Sequence, residues 1–433
     1  MNDKKIISTD YIEKCSNKIC INDNINKCIN NKLFGSSYKL NHLNHLNHLD
    51  FLNEENKEIN QNIEKFDKNN IIIDDIDIVI TFVDSKNEEW KKMYNKHKFE
   101  SFDPKRNNMD SSAKQRFRSS NELLYCLRSI DQYIDFYRYI FLVLNHSPPK
   151  WLNLNNPKLK IIYHDQIESF KPFLPTFNSQ AIECHLHNIP GLANHYLYFN
   201  DDIFVAKKLS RDIFINNPDK TSSTITLERI PIPSNDRTEI PSIDRYTIPF
   251  LKRIKQMETD KDNASRLYNV YVDRQLSKYG NPTVDECGFR SAWKNSNKIL
   301  DKLYKPELRR KIAHSPSIIN KEVMIYLSKL LEKEFYITSS SKFRAFDNIN
   351  PTCSILQYFY YYEGIGKLIE SSNIKTFYLK DINKDVDKIN EILEHRDLTF
   401  FCVEDDVSET NDGIDRIDKI LSVRFKKKSQ FEL

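Results

Sequence analysis

IIIDDIDIVITFVD, residues 71–84, is the stretch whose reading decides the fold. Its β-branched run from Ile76 to Val83 is bounded by charge on both sides, the pattern of a buried strand. Asp84 then stands at the carboxyl end of that strand, where open α/β sheets place ligand-binding groups. Further along, NELLYCLRSIDQYI (121–134) puts Leu123, Leu124, Leu127, Ile130 and Ile134 at helical spacing. YIFLVLN (139–145) and LKIIYHD (159–165) read as strands, and NSQAIECHLHNI (178–189) reads as a short helix closed by Pro190-Gly191. YLYF (196–199) is the next strand and runs into Asp201 and Asp202. This alternation predicts the α/β class: a Rossmann-like, mainly parallel sheet with inserted helices.

Outside that block the pattern loosens. Residues 1–70 hold 16 Asn and a threefold NHL repeat, NHLNHLNHLD at 41–50, and are expected to form a flexible, low-complexity leader. His42, His45 and His48 lack the carboxylate or cysteine framework of a metal site. Residues 205–300 are irregular, with four prolines in RIPIPSNDRTEIPSIDRYTIP (229–249), and are expected to be an insertion or lid. SIINKEVMIYLSKLLEKEF, from Ser317, reads as an amphipathic helix, SILQYFYYYEG (354–364) as an aromatic helix and TFFCVEDD (399–406) as a late strand. The expected organisation is therefore a leader (1–70), one domain (71–410) and a charged tail (411–433). RFKKKSQFEL at its close is read as solvated.

Bulk numbers exclude several classes. With 65 Lys and Arg against 61 Asp and Glu, the net charge of +4 gives no nucleic-acid footprint. Eight cysteines are scattered without a CxxC pair, so neither a zinc motif nor a disulfide framework is signalled. No apolar run approaches the ~20 residues of a transmembrane segment, and MNDKKIISTD lacks a signal-peptide core. The expected location is cytoplasmic, with peripheral membrane association through the basic tail as the alternative.

Chemistry concentrates in a few segments, each with a plain rival reading. In YFNDDIF (198–204), two acids at a strand end suit Mg²⁺ or Mn²⁺ bridging to phosphate oxygens, or simply an N-cap or turn. VEDD repeats that design at Glu404, Asp405 and Asp406, or is a surface acidic run. Glu183 is a base toward a hydroxyl, or part of a solvated helix face, and His185 and His187 read as surface or capping residues. His314, in IAHSPSIINKE, is a proton shuttle or an exposed loop histidine. Lys342 and Arg344, in ITSSSKFRAFDNINP, are phosphate ligands or solvated cations.

Taken in order, these segments resemble the Stealth family, phosphotransferases of bacterial capsule and exopolysaccharide synthesis related to the animal N-acetylglucosamine-1-phosphotransferase. IDIVITFVD resembles its first conserved region. RFRSSNELLYCLRSIDQY through YLYFNDDIF resembles the second, AHSPSIINKEVM through TSSSKFRAFDNINP the third, and FFCVEDD the fourth. The resemblance implies transfer of a sugar-1-phosphate from a nucleotide-diphosphate sugar donor to a hydroxyl of a glycan acceptor, leaving a phosphodiester. It implies catalytic roles for Glu183, Asp202, His314 and Arg344, metal-side roles for Asp201, Asp202 and Asp405 toward Mg²⁺ or Mn²⁺, and a place for Asp84 near the donor. The sequence departs from the family pattern at Ser119, Leu124 and Glu404, which touches donor contacts, acceptor choice and metal preference. A metal-dependent phosphodiesterase and a catalytically inactive glycan- or nucleotide-sugar-binding protein are the alternatives.

Overall fold

A computed structural model describes Phe66, residues 75–101, Asn107, Phe117, and residues 121–215, 223–227, 289–304, 312–370, 374–379, 398–405 and 411–433. All of these belong to one compact unit that begins at Asn62. In chain order the strands are β1 (Ile76–Thr81), β2 (Ile140–Leu144), β3 (Leu159–Tyr163), β4 (His195–Asn200), β5 (Ile203–Val205), β6 (Ser223–Leu227), β7 (Ser317–Asn320), β8 (Gly366–Glu370), β9 (Ile374–Leu379) and β10 (Phe400–Asp405). The helices are α1 (Glu88–Ser101), α2 (Glu122–Tyr133), α3 (Ser179–Glu183), α4 (Phe289–Leu303), α5 (Lys321–Leu330), α6 (Glu332–Ser340), α7 (Gln357–Tyr362) and α8 (Asn411–Arg424).

The main sheet has the order β3-β2-β1-β4-β7. Its first four strands are parallel, and β7 runs antiparallel to β4 along the edge. This is the expected Rossmann-like α/β architecture. In such sheets the crevice lies where strand order reverses, here between β1 and β4, outside their carboxyl ends. Thr81 pairs with Asn200 at that point, so Asp84 and the Asp201-Asp202 pair leave the sheet from adjacent strands.

Period-two alternation divides the core into two. Ile76, Ile78, Ile80, Leu142, Leu197 and Phe199 face one side, against α2 and the C-terminal segment. Val79, Phe141, Val143, Tyr196, Tyr198 and Ile319 face the other, against α3, α5 and α7. The amino end of the sheet is tied by a buried ion pair. Asp77, fully buried, takes Arg138 Nη2 at 2.7 Å and Nε at 3.0 Å, and accepts the Tyr139 and Ala193 amides.

A second sheet, β5-β10-β9, joins this frame. β10 pairs antiparallel with β5, so Cys402 lies opposite Ile203, and parallel with β9. β4 and β10 therefore belong to different sheets, and β10 is paired to β5, the strand that follows β4.

Four expectations need correction. Ser317–Asn320 is a strand, because both faces are buried: Ile318 enters one core and Ile319 the other. The helix starts only at Lys321, with the Asn320 side chain accepting the Val323 N–H as its N-cap. The 178–189 helix is only α3, followed by a single 3₁₀ turn at Leu186–Asn188. His185 and His187 are buried, and burial holds their imidazoles at about 4 and about 3. The tail is not solvated as a whole. Lys426, Lys427 and Lys428 are exposed, but Phe425 and Phe431 are fully buried, and Arg128 grips Glu432 through two bonds of 2.8 and 2.7 Å. Phe66, within the expected leader, packs on Tyr326 and Phe359 with ring centroids 5.4 and 5.9 Å away. The NHL repeat, the proline-rich 229–249 stretch and Ser119 lie outside the described residues.

Candidate active site

The site is built at the carboxyl edge of β4. That strand delivers Asn200, then turns through Asp201 and Asp202 into β5. His314 arrives from the segment before β7, the antiparallel neighbour of β4. His314 Nε2 lies 3.4 Å from Asn200 Nδ2 and 3.7 Å from Asp202 Oδ1, with both Asp202 and His314 about one-quarter exposed. Asp201 is half-buried. Its burial, with the neighbouring Asp202 and Glu122 carboxylates, holds its carboxyl well above the usual carboxylate range. So much negative charge in one partly dry turn is a setting that a divalent cation relieves.

Glu183 closes α3 and is buried. Burial pushes its carboxyl up to about 6, against the pull of the Thr352 hydroxyl and of the Arg344 and His314 charges. The Thr352 hydroxyl donates to Glu183 Oε2. Thr352 itself is set by a π-type turn over Pro351–Leu356, capped by the Asn350 side chain, which accepts the Cys353 and Ser354 amides.

Arg344 is brought to α3 by a polar and aromatic clamp. Its Nη2 donates to Ser179 Oγ at 2.7 Å. Asn178, the N-cap of α3, donates to Ser341 O at 3.1 Å and to Asn348 Oδ1 at 2.9 Å, and Phe177 stacks on Phe343 at 5.2 Å. Asn107 fixes the Phe343 and Arg344 carbonyls at 3.2 and 3.3 Å. Lys342 plays a different part from the one its sequence suggested. Its Nζ donates to the Leu174 and Pro175 carbonyls at 3.4 and 3.1 Å, and burial lowers its pKa. It is a brace for the loop before α3, not an open phosphate ligand.

The remaining positions are more separate. Asp84 accepts the Lys86 amide at 2.8 Å and donates its own N–H to His146 Nε2 at 2.9 Å. It caps a turn on the β1 side of the crevice. Burial lowers His146, and its neutral ring passes the other N–H to the Ser147 carbonyl. Asp405 ends β10 beyond Cys402, on the strand that pairs with β5; the side chains of Glu404 and Asp405 lie outside the described residues. Leu124, a departure from the family pattern, packs partly buried on the first core.

Thr352, Ser179, His146 and Cys402 escaped the sequence reading. Thr352 and Ser179 touch the site through partners 169 and 165 residues away, which no local pattern reveals. Cys402 reads as one more apolar strand residue, yet its sulfur joins Asp202 and His314 in a group whose ligand atoms lie within 4.8 Å of one another, a possible divalent-metal site.

The description "Stealth protein CR2, conserved region 2" matches residues 116–223, and "Stealth protein CR3, conserved region 3" matches residues 313–362. Both are conserved regions of Stealth proteins, so the chain is similar to the Stealth family over those residues. The two Stealth regions hold Glu183, Asp201 and Asp202 in one and His314, Arg344 and Thr352 in the other, so the fold folds the family's conserved regions onto each other. A capsular polysaccharide phosphotransferase of Neisseria meningitidis serogroup A is 29% identical over 325 residues, 74% of this chain and 48% of that protein. One of Haemophilus influenzae is 29% identical over 349 residues, covering 78% and 79% of the two chains. An exopolysaccharide phosphotransferase of Streptomyces coelicolor is 27% identical over 349 residues, 80% of this chain and 50% of its own. The chain thus spans about half the length of the first curated relatives it matches. Among the described residues, no helix is long and apolar enough to cross a membrane.

Proposed function

We propose that this chain transfers a sugar-1-phosphate from a nucleotide-diphosphate sugar to a hydroxyl of a glycan acceptor, forming a phosphodiester. The observation that supports it best is the meeting of His314 and Asp202, 3.7 Å apart, with Glu183 and Arg344 close enough for their charges to interact. The relatives' names, capsular and exopolysaccharide phosphotransferases, point to the same chemistry.

In this reading Arg344, held by Ser179, faces the diphosphate and neutralises charge that builds as the phosphoryl group moves. His314 takes the acceptor proton, and the Glu183 anion stabilises the imidazolium that results. The carboxylates of Asp202 and Asp201 fit a hard divalent cation such as Mg²⁺ or Mn²⁺, with Asp405 as a third donor, and that ion supplies further neutralisation of the diphosphate when bound. Asp84 sits on the donor side of the crevice.

The test is direct. The chain is incubated with a panel of nucleotide sugars and Mg²⁺ or Mn²⁺, with and without an acceptor glycan, and nucleoside monophosphate release is followed. Release that depends on acceptor, with a phosphodiester product, is expected. Equal release without acceptor would mean hydrolysis, and binding without release would mean a lectin-like role.

A further inference from the structure

Three side chains of different chemistry meet beside the β4–β5 turn. An Asp202 carboxylate oxygen, a His314 ring nitrogen and the Cys402 sulfur lie within 4.8 Å of one another. The Asp202–His314 separation of 3.7 Å is too long for a hydrogen bond. It is close to the roughly 3.4 Å expected between two donors about 2.0–2.1 Å from a tetrahedral ion. The donors come from three separate stretches of chain, and the sheet register brings two of them together. Cys402 pairs with Ile203, the residue next to Asp202. Cys402 is fully buried while Asp202 and His314 are about one-quarter exposed, so the group lies at the border between the core and the crevice.

Donor softness selects the ion. Mg²⁺ prefers oxygen throughout, whereas sulfur and imidazole suit zinc-class ions. We propose that Asp202, His314 and Cys402 form a three-ligand site for a borderline-soft divalent cation of the zinc class, with one position left to water or a substrate oxygen, and that occupancy takes His314 Nε2 out of the reaction. The Cys402 thiol gives its proton to solvent as its sulfur binds the ion, so affinity rises with pH. Asp202 is shared with the oxygen-only cation of the transfer chemistry, and the two ions compete for it. The inhibitory half rests on the transfer reading; the binding half does not.

The experiment uses the full chain with His42, His45 and His48 changed to Ala, so that the NHL repeat cannot contribute. Co²⁺ is the spectroscopic probe, and Zn²⁺ affinity is read by competition with a chromogenic chelator. One equivalent of Co²⁺ should give a thiolate-to-metal charge-transfer band that is lost in Cys402→Ser and kept in Cys126→Ser. Zn²⁺ affinity should fall at least tenfold in Cys402→Ser and in Asp202→Asn. A missing band, or one that survives Cys402→Ser, overturns the site. If Cys402→Ser fails to fold, unchanged Zn²⁺ affinity in Asp202→Asn overturns it instead. Equimolar Zn²⁺ should suppress nucleotide release in Mg²⁺, reversibly on adding chelator; cobalt and zinc binding without that suppression removes the inhibitory half. No release from the zinc-free chain would sink the transfer reading and leave the binding result standing.

Discussion

Thr352→Val should move the acidic limb of the proposed transfer reaction upward without abolishing the reaction. The hydroxyl of Thr352 donates to Glu183 Oε2 and favours the ionised carboxylate, which burial otherwise holds up at about 6. A hydrogen bond to a charged group contributes roughly 1.5–3 kcal/mol. At about 1.4 kcal/mol per tenfold change, its loss moves the Glu183 carboxyl by roughly one to two pH units, to about 7–8. The assay is kcat/KM for nucleoside monophosphate release between pH 5 and pH 9, which reports ionisations of the free enzyme. Near pH 6.5 the variant should run at about one-tenth of the wild-type rate, and near pH 9 it should recover. Thr352→Ser keeps the donor and should restore the original limb. A variant slowed equally at every pH, or one whose limb does not move, would refute a working role for the Glu183 anion.

Asp202→Asn and Arg344→Ala should abolish nucleotide release while leaving the thermal melt near that of wild type, because Asp202 and Arg344 are both partly exposed; wild-type turnover in either would undo the assignment. His314→Ala should lose roughly 10²–10⁴-fold in rate, and a full rate would pass proton transfer to Glu183. Asp77→Ala should cost roughly 3–5 kcal/mol in urea denaturation, because it leaves Arg138 partly buried without its fully buried partner. The folded Glu183 carboxyl, at about 6 against 4.5, binds its proton more tightly than the unfolded chain does. It therefore favours the fold below pH 4.5, and that contribution of about 2 kcal/mol is lost as pH rises through 6. Glu183→Gln should gain on wild type by that amount between pH 4.5 and 7 in paired denaturation curves, and parallel curves would count against the buried carboxyl.

Much of the central sheet was legible because its strands are buried on both faces and so read as continuous β-branched or aromatic runs. IDIVIT, IFLVL and HYLYFN are all of this kind. The failures have a common cause. SIIN satisfies a helical apolar pattern as well as a strand pattern, and only its seat beside β4 decides between them. Phe425 and Phe431 flank a lysine triplet whose charge masks them, and Arg128, some 300 residues earlier, supplies the partner that draws that segment in. His185 lies between Ser169 and Ser339, with bonds of 3.0 and 2.9 Å, and stacks on Phe170 at 4.5 Å, contacts invisible to local spacing.

The site shows the same division between local and non-local information. Asp201 and Asp202 are announced by their place at a strand end, because a strand that stops in acids has a carboxyl edge facing the crevice. Their partners are not announced, since each is fixed by a different piece of topology. The antiparallel β7 carries His314 back toward the end of β4. The N-cap Asn178 bonds to the loop that carries Arg344, so the same residue that starts α3 also positions the guanidinium opposite its first turn. β5, only three residues long, turns the chain from the main sheet into the second and sets Cys402 beside Asp202. A slip of one residue in the β5–β10 register would turn Cys402 to the other face of its sheet. The chemistry proposed for the site thus depends on that short strand as well as on its charged residues.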